Sequence, residues 1–174
     1  MKREQLQALQ APLKARYNAA PRAALVTLRA AGRLGEGITC SLETGKALAT
    51  AGLHPATGGN GLAACSGDML LEALVACAGV TCSAVATAIG VDIRSGTVRA
   101  EGDLDFRGTL GVAKDAPVGF TAIRLHFDFD TDAGEEQLAA LLRLTERYCV
   151  VYQTLRSPPQ FTIGRTATSA KRTD

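Results

Sequence analysis

A chain of 174 residues falls within the size of one domain, and 47% hydrophobic against 21% charged residues excludes an intrinsically disordered segment. With 19 Lys and Arg against 17 Asp and Glu, no Trp, three Tyr and five Phe, it has neither the cationic excess nor the stacking rings of a nucleic-acid binder. The amino terminus, MKREQLQALQAPLKARYNAAP, is charged and lacks the continuous apolar stretch that directs secretion, which points to a cytoplasmic protein with reduced cysteines.

Residues 1–22 read as an amino-terminal helical arm. Leu6, Leu9, Leu13 and Tyr17 recur close to helical spacing, while Pro12 removes an amide donor and predicts a kink or two short pieces. Residues 23–174 read as a single domain. From Ala23 to Leu34 the residues Leu25, Val26, Leu28 and Ala31 predict a strand, which the Gly-Glu-Gly turn at 35–37 returns as a second, Ile38–Leu42. A third strand, Ala47–Leu53, precedes a loop of small and turn-forming residues, His54–Gly61.

Ser66 and Asp68 signal a helix start and Gly90 suits a left-handed cap, so Ser66–Gly90 is predicted as a central helix. No residue from Ala73 to Val91 is charged, and the run passes the length test of ~18 or more residues for a membrane span. Its Ala, Gly, Thr, Ser and Cys content, its lack of aromatic belts and its place between amphipathic strands predict a helix buried on all sides instead. Thr97–Phe106 and Ile123–Phe129 alternate as half-buried strands, with Ile123, Leu125, Phe127 and Phe129 on one face. Asp132 followed by Glu135 resembles a capping box, and Leu138, Leu141, Leu142, Thr145, Tyr148, Cys149 and Tyr152 trace the inward stripe of a second helix. Pro158 and Pro159 end it, and Phe161–Ala167 predicts a last strand. Strand runs broken by isolated helices indicate an α+β fold, with the central helix across a sheet and its other side open to cover by a second subunit.

The five cysteines, Cys40, Cys65, Cys77, Cys82 and Cys149, are odd in number and irregular in spacing, unlike a disulfide framework. They form no paired metal-ligand motif, and the two histidines, His54 and His126, lie far from any ligand pattern. Gly58–Gly61 lacks the Lys-Ser/Thr that follows a phosphate loop. No metal is expected. Cys77 and Cys82 point about 140° apart on a helix and cannot bridge each other. Cys77 shares a face with Leu70, Leu74 and Thr81, and Cys149 lies on the inward stripe of its own helix, so the two meet if the helices pack. Periodicity alone favours two small buried hydrophobes. Cys65 precedes the central helix, where amides favour a thiolate, and Cys40 reads as structural.

The segment SGDMLLEALVACA, Ser66–Ala78, together with ERYCVVY around Cys149, resembles the signature of the OsmC/Ohr family, osmotically inducible protein C and the organic hydroperoxide resistance proteins. The order of strands, glycine-rich loop, cysteine-bearing central helix, strand pair and second cysteine-bearing helix is similar over nearly the whole chain. The resemblance implies an intertwined homodimer with packed central helices and sites at the subunit interface. It implies a thiol peroxidase without a bound cofactor. Cys77 would attack an organic hydroperoxide, Cys149 would resolve the sulfenic acid, and a dithiol, lipoyl-linked in the hydroperoxide-resistance branch, would reduce the disulfide. Where the family carries a Pro-Glu turn this chain has Ser66 and Gly67, and the nearest acid, Asp68, serves only across subunits. Arg33, after Gly32, is the nearest match to the family's activating arginine. Glu72 is expected as a buried partner to an arginine, and Cys65 as an alternative resolver. Two other readings keep the fold without turnover: an apolar-ligand binder at the dimer interface, and a thiol redox sensor.

Overall fold

In the computed structural model, which describes residues 2–5, 8, 11, 19, 32–34, 39–43, 48–111 and 113–166, strict apolar–polar alternation produces a long antiparallel ribbon. Six strands and four helices are numbered in chain order among the described residues: β1 Gly32–Leu34, β2 Thr39–Glu43, β3 Leu48–Gly52, β4 Ala64–Cys65, α1 Ser66–Ile89, β5 Ser95–Leu104, α2 Phe106–Thr109, β6 Phe120–Asp130, α3 Glu135–Tyr148 and α4 Val150–Arg156. β5 and β6 pair from Ser95 opposite Asp130 to Leu104 opposite Phe120, with a register shift at Asp103/Leu104. Ile123, Leu125, Phe127 and Phe129 share the partly buried face, as their spacing predicts, while Arg124, His126 and Asp128 face out. Gly102 makes room on β5 for the Phe120 ring, since a Cβ there would meet ring carbon Cε1 at 2.4 Å.

The other sheet runs in the order β1-β2-β3-β4. The predicted hairpin forms, with Arg33 opposite Ser41, and β3 adds antiparallel to β2. The short β4 was not foreseen and pairs in parallel with β3, so this sheet is mixed rather than wholly antiparallel. Leu6, Leu9, Pro12, Leu13 and Tyr17 of the arm, and Ala23–Ala31 of the first predicted strand, lie outside the described residues. Residues 3–5, 8, 11 and 19 have helical backbone.

α1 spans 24 residues, one fewer than the predicted Ser66–Gly90, and is capped by Gly90 at φ 76°, whose amide donates to the Ala86 carbonyl. A residue with a Cβ would be strained in that left-handed turn. The start differs slightly: Cys65 occupies the capping position without a side-chain cap, Ser66 is already helical, and Asp68 sits in the first turn beside the positive end of the helix dipole. α1 packs against β5, α3 and α4. That leaves one side open, which corrects the expectation of burial all round. Ala73, Ala76, Val80 and Ser83, spaced along a single face, are exposed, Val80 by 73%.

Four further expectations are corrected. The predicted cap at Asp132 is replaced by Gly134, whose amide donates to Gln137 Oε1 at 3.2 Å. Asp132 instead pairs with Arg94, which also holds Asp130. The second helix does not run unbroken to Tyr152: it stops at Tyr148, passes through extended Cys149 at φ −73°, ψ 109°, and restarts as α4. Consecutive β-branched Val150 and Val151 and the packing of Cys149 favour this break over continuation. Tyr148 consequently turns outward, 57% exposed. Residues 161–166 form no strand, and Phe161 and Ile163 stand exposed. Phe106, predicted to close a strand, opens the single turn α2, capped by Asp105.

Two core clusters meet at Phe127. One joins Cys82, Val85, Ala86, Val91 and Leu141; the other joins Leu74, Ala78 and Cys149, with Cys77 packed against it. Leu141 is 0% exposed, so Leu141→Ala removes apolar contacts and leaves a void. The expected loss is about 2–5 kcal/mol of unfolding free energy, read from the urea midpoint. A loss below about 0.5 kcal/mol would show that this α1–α3 contact is not core.

Candidate functional site

The break between α3 and α4 creates the most reactive arrangement among the described side chains. Every helix start leaves amides without intrahelical acceptors, and here they belong to Val150 and Val151. Cys77, midway along α1 and half-buried, lies beside them because α1 packs on both α3 and α4. Burial raises the Cys77 thiol, but the Val151 amide, the Cys149 thiol, the Val150 amide and the Thr81 hydroxyl stabilise its anion by more. The outcome is a thiol held below its ordinary value. None of these donors is a side-chain cation.

Cys149 shows the opposite response. It is 1% exposed. Burial pushes its thiol up, the amides of Tyr152 and Val151 oppose this, and the hydrogen bond to Cys77 and the negative charge that develops there push it further up. The pair therefore divides into one sulfur inclined to ionise and one inclined to keep its proton, side by side, with both thiols free.

The remaining sequence candidates are dispersed. Asp68 is exposed at the start of α1, nine residues before Cys77, which is ~13.5 Å along a helix and ~180° around it. Within one chain the two side chains do not meet. Arg33 has its backbone in β1, and its side chain lies outside the described residues. Glu72, expected to be a buried partner to an arginine, is exposed to solvent because it lies on the open side of α1. Cys65 caps α1 twelve residues before Cys77, ~18 Å along the helix, too far to resolve it within this chain. Cys82 is 3% exposed in the other core cluster, where burial pushes its thiol up; it serves packing. The pairing of Cys40 is confined to backbone register, opposite Leu34 and Ala51.

The histidines have local structural roles. His54 Nδ1 accepts from the Ala56 amide at 3.0 Å and its ring stacks on Phe106 at 4.9 Å, fixing the glycine-rich loop against α2. His126 is exposed and bonds Asp128 across 3.0 Å. Among the described residues no group of three or more His, Cys, Asp or Glu is placed to hold a metal ion.

Sequence reasoning missed Thr81 as a donor and the two valine amides. The valine pair after Cys149 carried the usable signal, since two successive β-branched residues at a helix position weaken continuation. A cavity of about 490 Å³ lies behind the cysteine pair, between β6, α3 and α4, lined by Leu74, Ile123, Leu125, Phe127, Tyr152 and Leu155 among others. Neither cysteine lines it, but Leu74, Tyr152 and Leu155 belong to both the cavity wall and the cysteine cluster.

Known proteins share this architecture. The crystal structure of an OsmC-like protein from Mycoplasma pneumoniae is 17% identical and superposes with a TM-score of 0.65 over 76% of this chain and 89% of its own. An organic hydroperoxide resistance protein OsmC from Legionella pneumophila is 18% identical, at a TM-score of 0.60 over 77% of this chain and 92% of that one. A further organic hydroperoxide resistance protein, from Elizabethkingia anophelis, is 16% identical, at a TM-score of 0.61 over 78% and 91%. No curated protein sequence matches. The profile of the OsmC-like protein family matches residues 58–164, a span that includes Gly58–Gly61 of the glycine-rich loop, the whole of α1 and both cysteines of the pair, and the chain thus belongs to the OsmC-like family.

Proposed function

We propose that this protein is a cytoplasmic, homodimeric thiol peroxidase that reduces organic hydroperoxides through Cys77 and Cys149. The observation that carries the reading is the division of the pair: Cys77 held low and Cys149 held high, in contact. The organic hydroperoxide resistance proteins of similar fold support the substrate class.

The chemistry follows from that division. The Cys77 thiolate attacks the peroxide oxygen, an S–O bond forms, the O–O bond breaks, and the alkoxide leaves as an alcohol once protonated. Cys149, still a thiol, is the adjacent proton source. Cys77 is then a neutral sulfenic acid, so the charge that raised Cys149 is gone. Having given up its proton, the Cys149 thiolate attacks the Cys77 sulfur: the S–S bond forms, the S–O bond breaks, and the departing hydroxide takes a proton from solvent to leave as water. An external dithiol, lipoyl-linked or small, reduces this bond and is itself oxidised to a disulfide.

The exposed stripe of Ala73, Ala76, Val80 and Ser83 supports packing of two central helices in a homodimer. Such packing is also the route by which Asp68 of one subunit would approach Cys77 of the other, with Arg33 as the assisting cation. The reduced protein, mixed with cumene hydroperoxide and a dithiol, is expected to consume peroxide catalytically. No turnover, together with a Cys77 midpoint near the ordinary ~8.5, would sink the reading. The cavity, apolar along Leu74, Phe127 and Leu155 and edged by Thr121, Glu146 and Arg156, favours one rival: a binder of a small apolar ligand with the cysteines as packing. It is distinguished by saturable uptake of an apolar dye without peroxide loss.

A further inference from the structure

We propose that the hollow between β6, α3 and α4 is a ligand site in its own right, taking a small organic acid with an apolar alkyl body and one carboxylate, which Arg156 receives. Neither cysteine lines the hollow, so its occupant is a bound ligand and not the reacting peroxide, and the assignment holds whether or not the cysteine pair turns over. At about 490 Å³ the hollow falls in the range of small-molecule sites. Strand alternation supplies one wall, Ile123, Leu125 and Phe127 on the half-buried face of β6. Leu142 of α3 and buried Leu74 of α1 extend the apolar lining. On α4, Tyr152, Leu155 and Arg156 stand at i, i+3 and i+4, one helical face, and all three line the hollow. Gln153 Nε2 donates to the Glu146 carbonyl at 2.7 Å, which ties α4 to the last turn of α3 and holds that wall in place.

Arg156 and Glu146 are the only charged side chains in the lining, and neither forms an ion pair among the described residues. A guanidinium takes a carboxylate in two parallel hydrogen bonds. Its planar fork is preorganised and weakly hydrated, so pairing costs it little, whereas an ammonium head drawn to Glu146 gives up strong hydration. An apolar wall beside an unpaired guanidinium therefore selects a molecule with an alkyl body and an anionic head. Glu146 limits that head to a single charge: its carboxylate repels a second negative charge, which favours a monocarboxylate over a phosphate ester.

The test is calorimetric titration of the full chain, with its thiols reduced and no peroxide present, by decanoate, decanol and decylamine below their micelle concentrations. Decanoate is expected to bind saturably and more tightly than the other two. Arg156→Gln is expected to weaken decanoate about three- to tenfold and leave decanol unchanged, and Glu146→Gln to tighten decanoate about two- to threefold. Both positions are exposed, so neither substitution disturbs the core. No saturable binding of decanoate, an Arg156→Gln affinity equal to wild type, the same response in both variants, or decylamine binding as tightly as decanoate overturns the assignment. Peroxide consumption is measured separately, so failure of the peroxidase reading and failure of this one are distinguishable.

Discussion

Replacing Cys77 with serine is expected to reduce hydroperoxide consumption to the uncatalysed background, a loss of roughly 10³-fold or more. A serine hydroxyl does not ionise near neutral pH, and the amides of Val150 and Val151, positioned for a sulfur anion, cannot compensate for a nucleophile that never forms. The substitution barely alters packing, because Cys77 is only half-buried and the neighbouring Ala78 and Leu74 remain in place. Steady-state peroxide consumption with a dithiol present is the measurement, with melting temperature as the control. Retention of more than about a tenth of the activity in Cys77→Ser would move the reaction to another group and end the present assignment.

Cys149→Ser separates the first chemical step from the second. One equivalent of hydroperoxide is still expected to oxidise Cys77, because the Val151 and Val150 amides and Thr81 remain. The sulfenic acid then has no partner: no intramolecular disulfide forms, the species is trapped by a dimedone-type reagent, and excess peroxide drives it on to sulfinic acid. Turnover with the dithiol is expected to fall by about tenfold or more. Serine keeps a hydrogen-bond donor beside Cys77, whose thiol is held below its ordinary value chiefly by the Val151 amide. The alkylation rate of Cys77 near neutral pH, before any peroxide is added, is therefore expected to change little in the variant. A full yield of intramolecular disulfide in Cys149→Ser would end the assignment of Cys149 as the resolving thiol.

Where one rule governed, the chain was readable in advance. The alternation of Ile123, Leu125, Phe127 and Phe129 set the buried face of β6, and Gly90 set the end of α1, because both depend on local periodicity and backbone stereochemistry. Two helical stripes permitted, without requiring, the packing of Cys77 against Cys149. Periodicity failed at Cys149 itself. A stripe running from Leu138 to Tyr152 matches an unbroken helix, and only the competition between β-branched residues and tertiary packing interrupts it. The donors on Cys77 belong to backbone exposed by that interruption, so no pattern of side chains announced them. The open face of α1 was misjudged for a related reason: absence of charge reads as burial, whereas small apolar residues sit as readily on a surface that another helix covers.

Cys149 is also a joint. It closes one helix and opens the next, so a disulfide drawn from its sulfur to Cys77, as proposed above, would form at the hinge between α3 and α4. Tyr152, Leu155 and Arg156 lie beyond that hinge and form part of the wall of the neighbouring hollow. The oxidation state of two sulfur atoms would thereby bear on a chamber that neither atom touches.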